Sequence, residues 1–120
     1  FLKISERVKM GKNRDIAKLI SNLANSVIHQ ILEKAIDRVE IKEYYRNEII
    51  NSWKIANKYR QKINPTERNL LEVDVMEIKK KVVNRVKAEL KTRIDKGYKN
   101  IDLERVEEFV DKALREMKVL

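Results

Sequence analysis

The sequence predicts an all-α fold, a compact bundle or orthogonal array of five to six helices. Only two of its 120 residues are glycine and one is proline, too few turn residues for a protein of many short strands. Apolar residues recur instead every three or four positions, which is the period of a helix. At this length we expect a single domain over 1–120, with a basic N-terminal segment (1–12) and a helical core (13–120).

The first helix is predicted over residues 14–35 and is apolar almost all round. Its apolar stripe is wide and consists of Ile16, Leu19, Ile20, Leu23, Ala24, Val27, Ile28, Ile31 and Leu32. The narrow remaining face is uncharged and carries Asn22, Asn25, Ser26 and His29. A helix with so little polar surface belongs in the centre of a fold or in the interface of a dimer.

The second helix is predicted over 38–62, because Asp37 and Glu40 have the spacing of a capping box. One face of it is apolar or small and consists of Ile41, Tyr45, Ile49, Ser52, Ala56, Tyr59 and Ile63. A short third helix is predicted over 65–72, where a proline suited to the first helical position follows an asparagine that can cap.

Two further helices complete the prediction, over 75–96 and 102–118. Asp74 begins a second capping box, and Asp102 has the position of an N-cap before the last helix. Gly97 follows the end of the fourth helix, where a left-handed C-cap residue is expected. The core stripes of these helices are Val75, Ile78, Val82, Val86 and Leu90, and Val106, Phe109, Val110, Ala113, Leu114 and Met117.

Positive charge is concentrated in residues 79–99. The chain has 28 Lys and Arg against 19 Asp and Glu, a formal net charge of +9, and this segment alone holds nine cations and two acids. Such a helix face fits a polyanion, because each neutralised phosphate releases a counterion. The cations assigned to a nucleic-acid-binding surface are Lys79, Lys80, Lys81, Arg85, Lys87 and Lys91. The alternative is a solvated face that only aids solubility.

A second candidate surface lies on the helix predicted over 38–62. Arg46, Trp53 and Arg60 follow one another along one side of it, and residues 49–63 contain no acid. Trp and Arg are typical of partner-binding hot spots and of base-stacking platforms, so these three residues join the predicted nucleic-acid-binding set. The alternative is that the helix is packed on two sides and that Trp53 belongs to the core.

The composition argues against enzymatic and metal chemistry. With no Cys and a single His, the chain lacks the side chains of Cys-ligated and multi-histidine metal sites. Its two glycines do not form a phosphate-binding loop. His29 is interpreted as a hydrogen-bonded histidine that is buried or lies in an interface. We therefore predict no enzyme activity, catalytic residue, cofactor, metal or small-molecule substrate.

The sequence also predicts a cytoplasmic protein without a membrane partner. The longest run without a charged residue is 19–32, which is too short and too polar to span a bilayer. Residues 1–18 lack the apolar stretch and cleavage site of a secretory signal. Enrichment in Lys and Glu, with no Cys, favours an archaeal or thermophilic source, although the ten Asn argue against adaptation to heat.

Two functions fit this combination of features. The first is a non-enzymatic protein that binds nucleic acid, DNA or RNA, through Lys/Arg-rich helix faces. The second is a helical scaffold or assembly subunit, a homodimer or part of a larger complex, in which the uncharged face of helix 14–35 and Trp53 contact protein. Salt distinguishes them, because phosphate contacts weaken steeply with ionic strength and an apolar interface does not.

Overall fold

Four α-helices make up nearly all of the described chain. A computed structural model describes the backbone of residues 2–63 and 69–120 and the side chains of residues 11–63 and 69–120. The helices are α1 (Leu2–Ala35), α2 (Val39–Ile63), α3 (Glu72–Asp95) and α4 (Val106–Glu116), with a 3₁₀ turn over Leu103–Arg105. These residues include no strand, and the all-α prediction is confirmed.

The described residues hold fewer helices than the predicted five to six. The short helix predicted over 65–72 lies mostly outside the described residues, and its described part, 69–71, is not helical. The predicted start of the first helix near residue 14 is wrong, since α1 begins at Leu2 and passes through Gly11. A glycine inside a helix costs only about 1 kcal/mol relative to alanine, too little to end a helix whose later turns are packed in the core.

The central helix of the fold is α1. Its 34 residues correspond to a length of about 51 Å, close to the longest dimension of the protein, 55 Å. It contacts all three other α-helices of the described residues. Its buried apolar residues are Ile16, Leu19, Ile20, Leu23, Ala24, Val27, Ile28, Ile31 and Leu32. The prediction of a central position is confirmed.

Part of the uncharged face of α1, at Asn25 and Ser26, packs against α2. Asn25 Nδ2 donates a hydrogen bond to Ser52 Oγ, and Ser26 Oγ donates to the carbonyl oxygen of Ile49 at 3.3 Å. Residues later in α1 contact residues earlier in α2, so the two helices form an antiparallel hairpin. These bonds satisfy polar groups that would otherwise destabilise a buried interface, and they explain how a helix with polar residues can be central.

The other side of α1 is covered by α3 and α4. α3 runs parallel to α1, because Lys12 lies 2.7 Å from Asp74 at its start and His29 lines a groove with Arg93 near its end. α4 returns beside both helices and completes an up-down-up-down bundle. The buried residues that α3 and α4 contribute are Ile78, Val82, Val86, Leu90, Val106, Val110, Ala113 and Leu114.

The helix-end predictions are confirmed at Gly97 and Asp102 and wrong at Asp74. Gly97 has φ +99°, and hydrogen bonds of the Schellman pattern close the end of α3 around it. The side chain of Asp102 accepts a hydrogen bond of 3.0 Å from the N–H of Glu104. α3 begins at Glu72, so Asp74 lies inside its first turn and is not its N-cap.

Candidate nucleic-acid interface

The six cations predicted on α3 lie on its solvent side. The apolar stripe of α3 faces the core, so residues between the buried positions point toward the solvent. One of the six is half-buried, Lys87, and the other five are exposed: Lys79, Lys80, Lys81, Arg85 and Lys91. The fold therefore gathers this part of the predicted site on one helix.

Two of these cations reach acidic side chains of α4. Lys87 Nζ lies 3.4 Å from Glu107 Oε1, and Lys79 Nζ lies 3.9 Å from Asp111 Oδ1. Asp111 also accepts a 2.9 Å hydrogen bond from Arg115 Nε. This bond, more than the charge of Lys79, holds the pKa of the Asp111 carboxyl below its usual value. Exposed pairs of this kind contribute at most about 1 kcal/mol, so a phosphate can replace them at low cost.

The other four of the six predicted cations divide into one that is paired and three without an acidic partner. Lys81 Nζ lies 2.6 Å from Glu77 Oε1, one turn away on the same helix. Within the described part of the chain, no carboxylate oxygen lies within 4.0 Å of Lys80, Arg85 or Lys91. These three side chains are the cations of α3 most available to an anionic partner.

The second predicted surface is not assembled in the same way. Arg46 is exposed, but its Nε lies 2.8 Å from Oε1 of Glu33 on α1. Trp53 is half-buried and packs against the core, as the alternative interpretation expects. Arg60 is only 3% exposed, and its Nε and Nη2 donate to the carbonyl oxygen of Lys118 at 3.2 and 3.0 Å. Arg60 therefore contacts the C-terminal turn and not the solvent.

A polar groove between α1 and α3 contains one of the six cations, Arg85. The groove is lined by Ser21, Asn22, Ala24, Asn25, Ile28 and His29 of α1 and by Arg85, Glu89 and Arg93 of α3. The polar row on α1 is visible in the sequence, but its counterpart on α3 is not. Only the parallel direction of α1 and α3, a long-range property, brings the two rows together.

Aromatic and basic side chains meet at one end of this groove. His29 Nδ1 lies 2.7 Å from the carbonyl oxygen of Asn25, and the His29 ring centroid is 5.4 Å from that of Tyr45. The prediction that His29 is a buried, hydrogen-bonded histidine is confirmed. Burial, and after it the neighbouring Tyr98, raise the pKa of the Tyr45 hydroxyl. The guanidinium of Arg93 lies 5.4 Å from the centroid of the Tyr98 ring.

Metal binding, membrane insertion and similarity to known proteins also bear on the function of this chain. Among the described residues, no group of three or more His, Cys, Asp or Glu side chains is arranged to hold a metal ion. None of the helices in the same residues combines the length and apolar character of a membrane span. No protein-family model, curated protein or solved structure matches this chain.

Proposed function

We propose that this protein is a non-enzymatic nucleic-acid-binding protein and that the outer side of α3 contacts the phosphate backbone. The observation that carries the proposal is that Lys80, Arg85 and Lys91 are exposed and lie beyond 4.0 Å of every carboxylate in the described residues. A row of cations without nearby acids is unfavourable for stability alone, because like charges one turn apart repel mildly. A phosphate backbone removes that repulsion.

The spacing along α3 suits several phosphates at once. Lys80, Lys87 and Lys91 fall within about 40° of one another around the helix and span about 16 Å along it, at 100° and 1.5 Å per residue. Lys87 is held only by its exposed contact with Glu107, which a phosphate can displace. We expect three phosphate contacts from this row and a further one from Arg85 on the flank facing α1.

Contacts of this type position a nucleic acid without reading its sequence. Lys and Arg bind phosphate oxygens, which are the same at every base pair, whereas sequence is read at the base edges. Between Lys80 and Lys91, Asn84 is the only exposed polar residue of α3 that is not a cation. We therefore propose binding with little sequence preference, to DNA or RNA.

Charge reversal on α3 tests this proposal. The variant Lys80→Glu/Lys87→Glu/Lys91→Glu removes the row, and fluorescence anisotropy of a labelled 20-nucleotide strand and of a duplex measures affinity. We expect a loss of at least about 100-fold, since neutralising a phosphate contact already removes a charge-assisted hydrogen bond and reversal adds repulsion.

The matched control makes the same change of charge on α2. Lys54, Lys58 and Lys62 are exposed at regular spacing on α2, a helix that does not contact α3 in the described residues. Their replacement by Glu lowers the net charge equally, so we expect a much smaller loss from this control. Equal losses in the two variants would mean that net charge and not the surface of α3 governs binding.

A scaffold function is the second candidate, favoured by a different observation. Leu71, Val73 and Met76, around the start of α3, are 61%, 69% and 66% exposed. Exposed apolar residues near one another are typical of protein contact sites. On the uncharged face of α1, the surface first considered for such a contact, Asn25 and Ser26 are instead hydrogen-bonded to α2. Light scattering of the protein and of Val73→Glu/Met76→Glu over a range of concentrations tests for self-association through this surface.

A further inference from the structure

The groove between α1 and α3 has the size of a small-molecule site. It is open to solvent and has a volume of about 540 Å³, within the range of about 300 to 1,000 Å³ that is usual for ligand pockets. Unlike the convex row of lysines on α3, it is concave, and its walls come from two helices whose backbones are fixed by the core. A single small ligand can therefore touch both walls at once.

The wall formed by α3 supplies cationic hydrogen-bond donors. Arg85 has no carboxylate within 4.0 Å among the described residues, so its five N–H groups are available to a ligand. Arg93 is already oriented, because its Nε donates to Glu89 at 3.0 Å and its Nη1 to the Tyr98 hydroxyl at 3.4 Å. A guanidinium binds the oxygens of a phosphate in a bidentate manner.

The wall formed by α1 supplies hydrogen-bond acceptors. Asn22 Nδ2 donates one of its two N–H groups to the carbonyl oxygen of Lys18 at 2.8 Å, so Oδ1 and the second N–H are the groups that Asn22 offers to a ligand. His29 Nδ1 must carry hydrogen, since its partner at 2.7 Å is the carbonyl oxygen of Asn25. In the neutral ring Nε2 is then an acceptor. The α3 wall thus offers the donors of Arg85 and Arg93, beside the carboxylate of Glu89 that is paired with Arg93, and the α1 wall offers acceptors at Asn22 and His29.

We propose that this groove binds a small phosphate ester of the size of a nucleoside monophosphate, with the phosphate at Arg85 and ligand hydroxyl or amino groups directed at Asn22 and His29. A free inorganic phosphate satisfies only the α3 wall, and an uncharged nucleoside only the α1 wall. The proposal does not depend on the binding of a polymer by the lysine row of α3.

The test is a titration of the full chain, followed by calorimetry and by amide chemical shifts. The probes are adenosine 5′-monophosphate, adenosine and inorganic phosphate. We expect saturable binding of the monophosphate with Kd below about 1 mM and at least tenfold weaker binding of the other two. Shifts should be concentrated on residues 18–29 and 85–93.

Two variants separate the groove from general electrostatics. Arg85→Ala removes the proposed phosphate contact, and Ser21→Phe fills the groove while all charges stay in place. We expect each to weaken the monophosphate at least about tenfold, whereas Lys91→Ala, an equal loss of charge on the outer side of α3, should change Kd less than twofold.

Three results would overturn the proposal: no saturation by the monophosphate, equal effects of Arg85→Ala and Lys91→Ala, or unchanged affinity in Ser21→Phe. Loss of oligonucleotide binding in the triple variant Lys80→Glu/Lys87→Glu/Lys91→Glu, with monophosphate binding intact, would separate the two sites.

Discussion

Replacing Arg60 should strongly destabilise the fold, although an arginine on a basic helix suggests a surface role. Its side chain is 3% exposed, and its guanidinium donates twice to the carbonyl oxygen of Lys118. Lys118 has φ +60°, a left-handed conformation uncommon outside glycine. It is followed by the buried Val119. The contact therefore helps to hold the C-terminal turn against α2.

The magnitude follows from what Arg60→Ala removes. A hydrogen bond from a charged donor contributes about 1.5 to 3 kcal/mol, and we count the two bonds to one acceptor as a single such interaction. Removing two buried methylenes costs about 1.6 kcal/mol more at about 0.8 kcal/mol each. The sum is about 3 to 5 kcal/mol. Arg60→Met keeps those methylenes, so it should cost about 1.5 to 3 kcal/mol.

Urea unfolding followed by far-UV circular dichroism measures this difference. Lys58→Ala is the control, because Lys58 is exposed on the same helix and such surface changes usually stay within about 0.5 kcal/mol. In a thermal melt, Arg60→Ala should lower Tm by roughly 10 °C or more. A free energy of unfolding for Arg60→Ala that matches the Lys58→Ala control would refute the buried contact with Lys118.

The remaining predictions concern helix ends and titrating groups. Gly97→Ala should destabilise the fold by about 1 kcal/mol, since φ +99° disfavours a side chain. Gly11→Ala, inside α1 with no atom within 4 Å of the added Cβ, should stabilise the fold by up to about 1 kcal/mol. Urea unfolding of both variants gives the signs, and equal signs would contradict the assignment of Gly97 to a helix end and Gly11 to a helix interior. The pKa of Tyr45 is raised in the folded protein, so its contribution to stability is present below the ordinary tyrosine pKa and is lost as pH rises through the folded pKa. Tyr45→Phe should therefore flatten the fall in the free energy of unfolding at alkaline pH. An unchanged slope of that free energy against pH would oppose this. In Arg115→Ala the pKa of Asp111, measured by carboxyl NMR titration, should rise toward its usual value, because the hydrogen bond that lowers it is lost; an unshifted titration would assign the lowering to another group.

Local sequence patterns account for the helices and most of their buried faces. The three- and four-residue spacing of apolar side chains identified α1 as the central helix, and Gly97 and Asp102 marked helix ends that rest on short-range hydrogen bonds. Arg60 was predicted to lie on a binding surface because it is charged, but it is buried. It follows the buried Ser52 and Ala56 at four-residue spacing, so the helical period already placed it on the inner face, against the usual preference of arginine for the surface.

Features that depend on contacts between distant segments were not predictable from local patterns. Asp74 has the sequence context of an N-cap, but Lys12 of α1 pairs with it inside the first turn of α3. The groove shared by His29 and Arg93 requires α1 and α3 to run parallel. The free or paired state of each cation on α3 likewise depends on where α4 lies, as the contact between Lys87 and Glu107 illustrates.

The salt dependence of nucleic-acid affinity tests the central proposal most directly. Four phosphate contacts, by Lys80, Lys87, Lys91 and Arg85, imply a slope of log K against log salt of about −3.6 for a duplex and about −2.8 for a single strand. Wild-type affinity should then fall by about 50- to 150-fold between 50 and 200 mM salt. The triple Glu variant should lose most of this slope, and the α2 control should keep it. A wild-type affinity that does not respond to salt, or a slope unchanged in the triple variant, would contradict phosphate binding by α3.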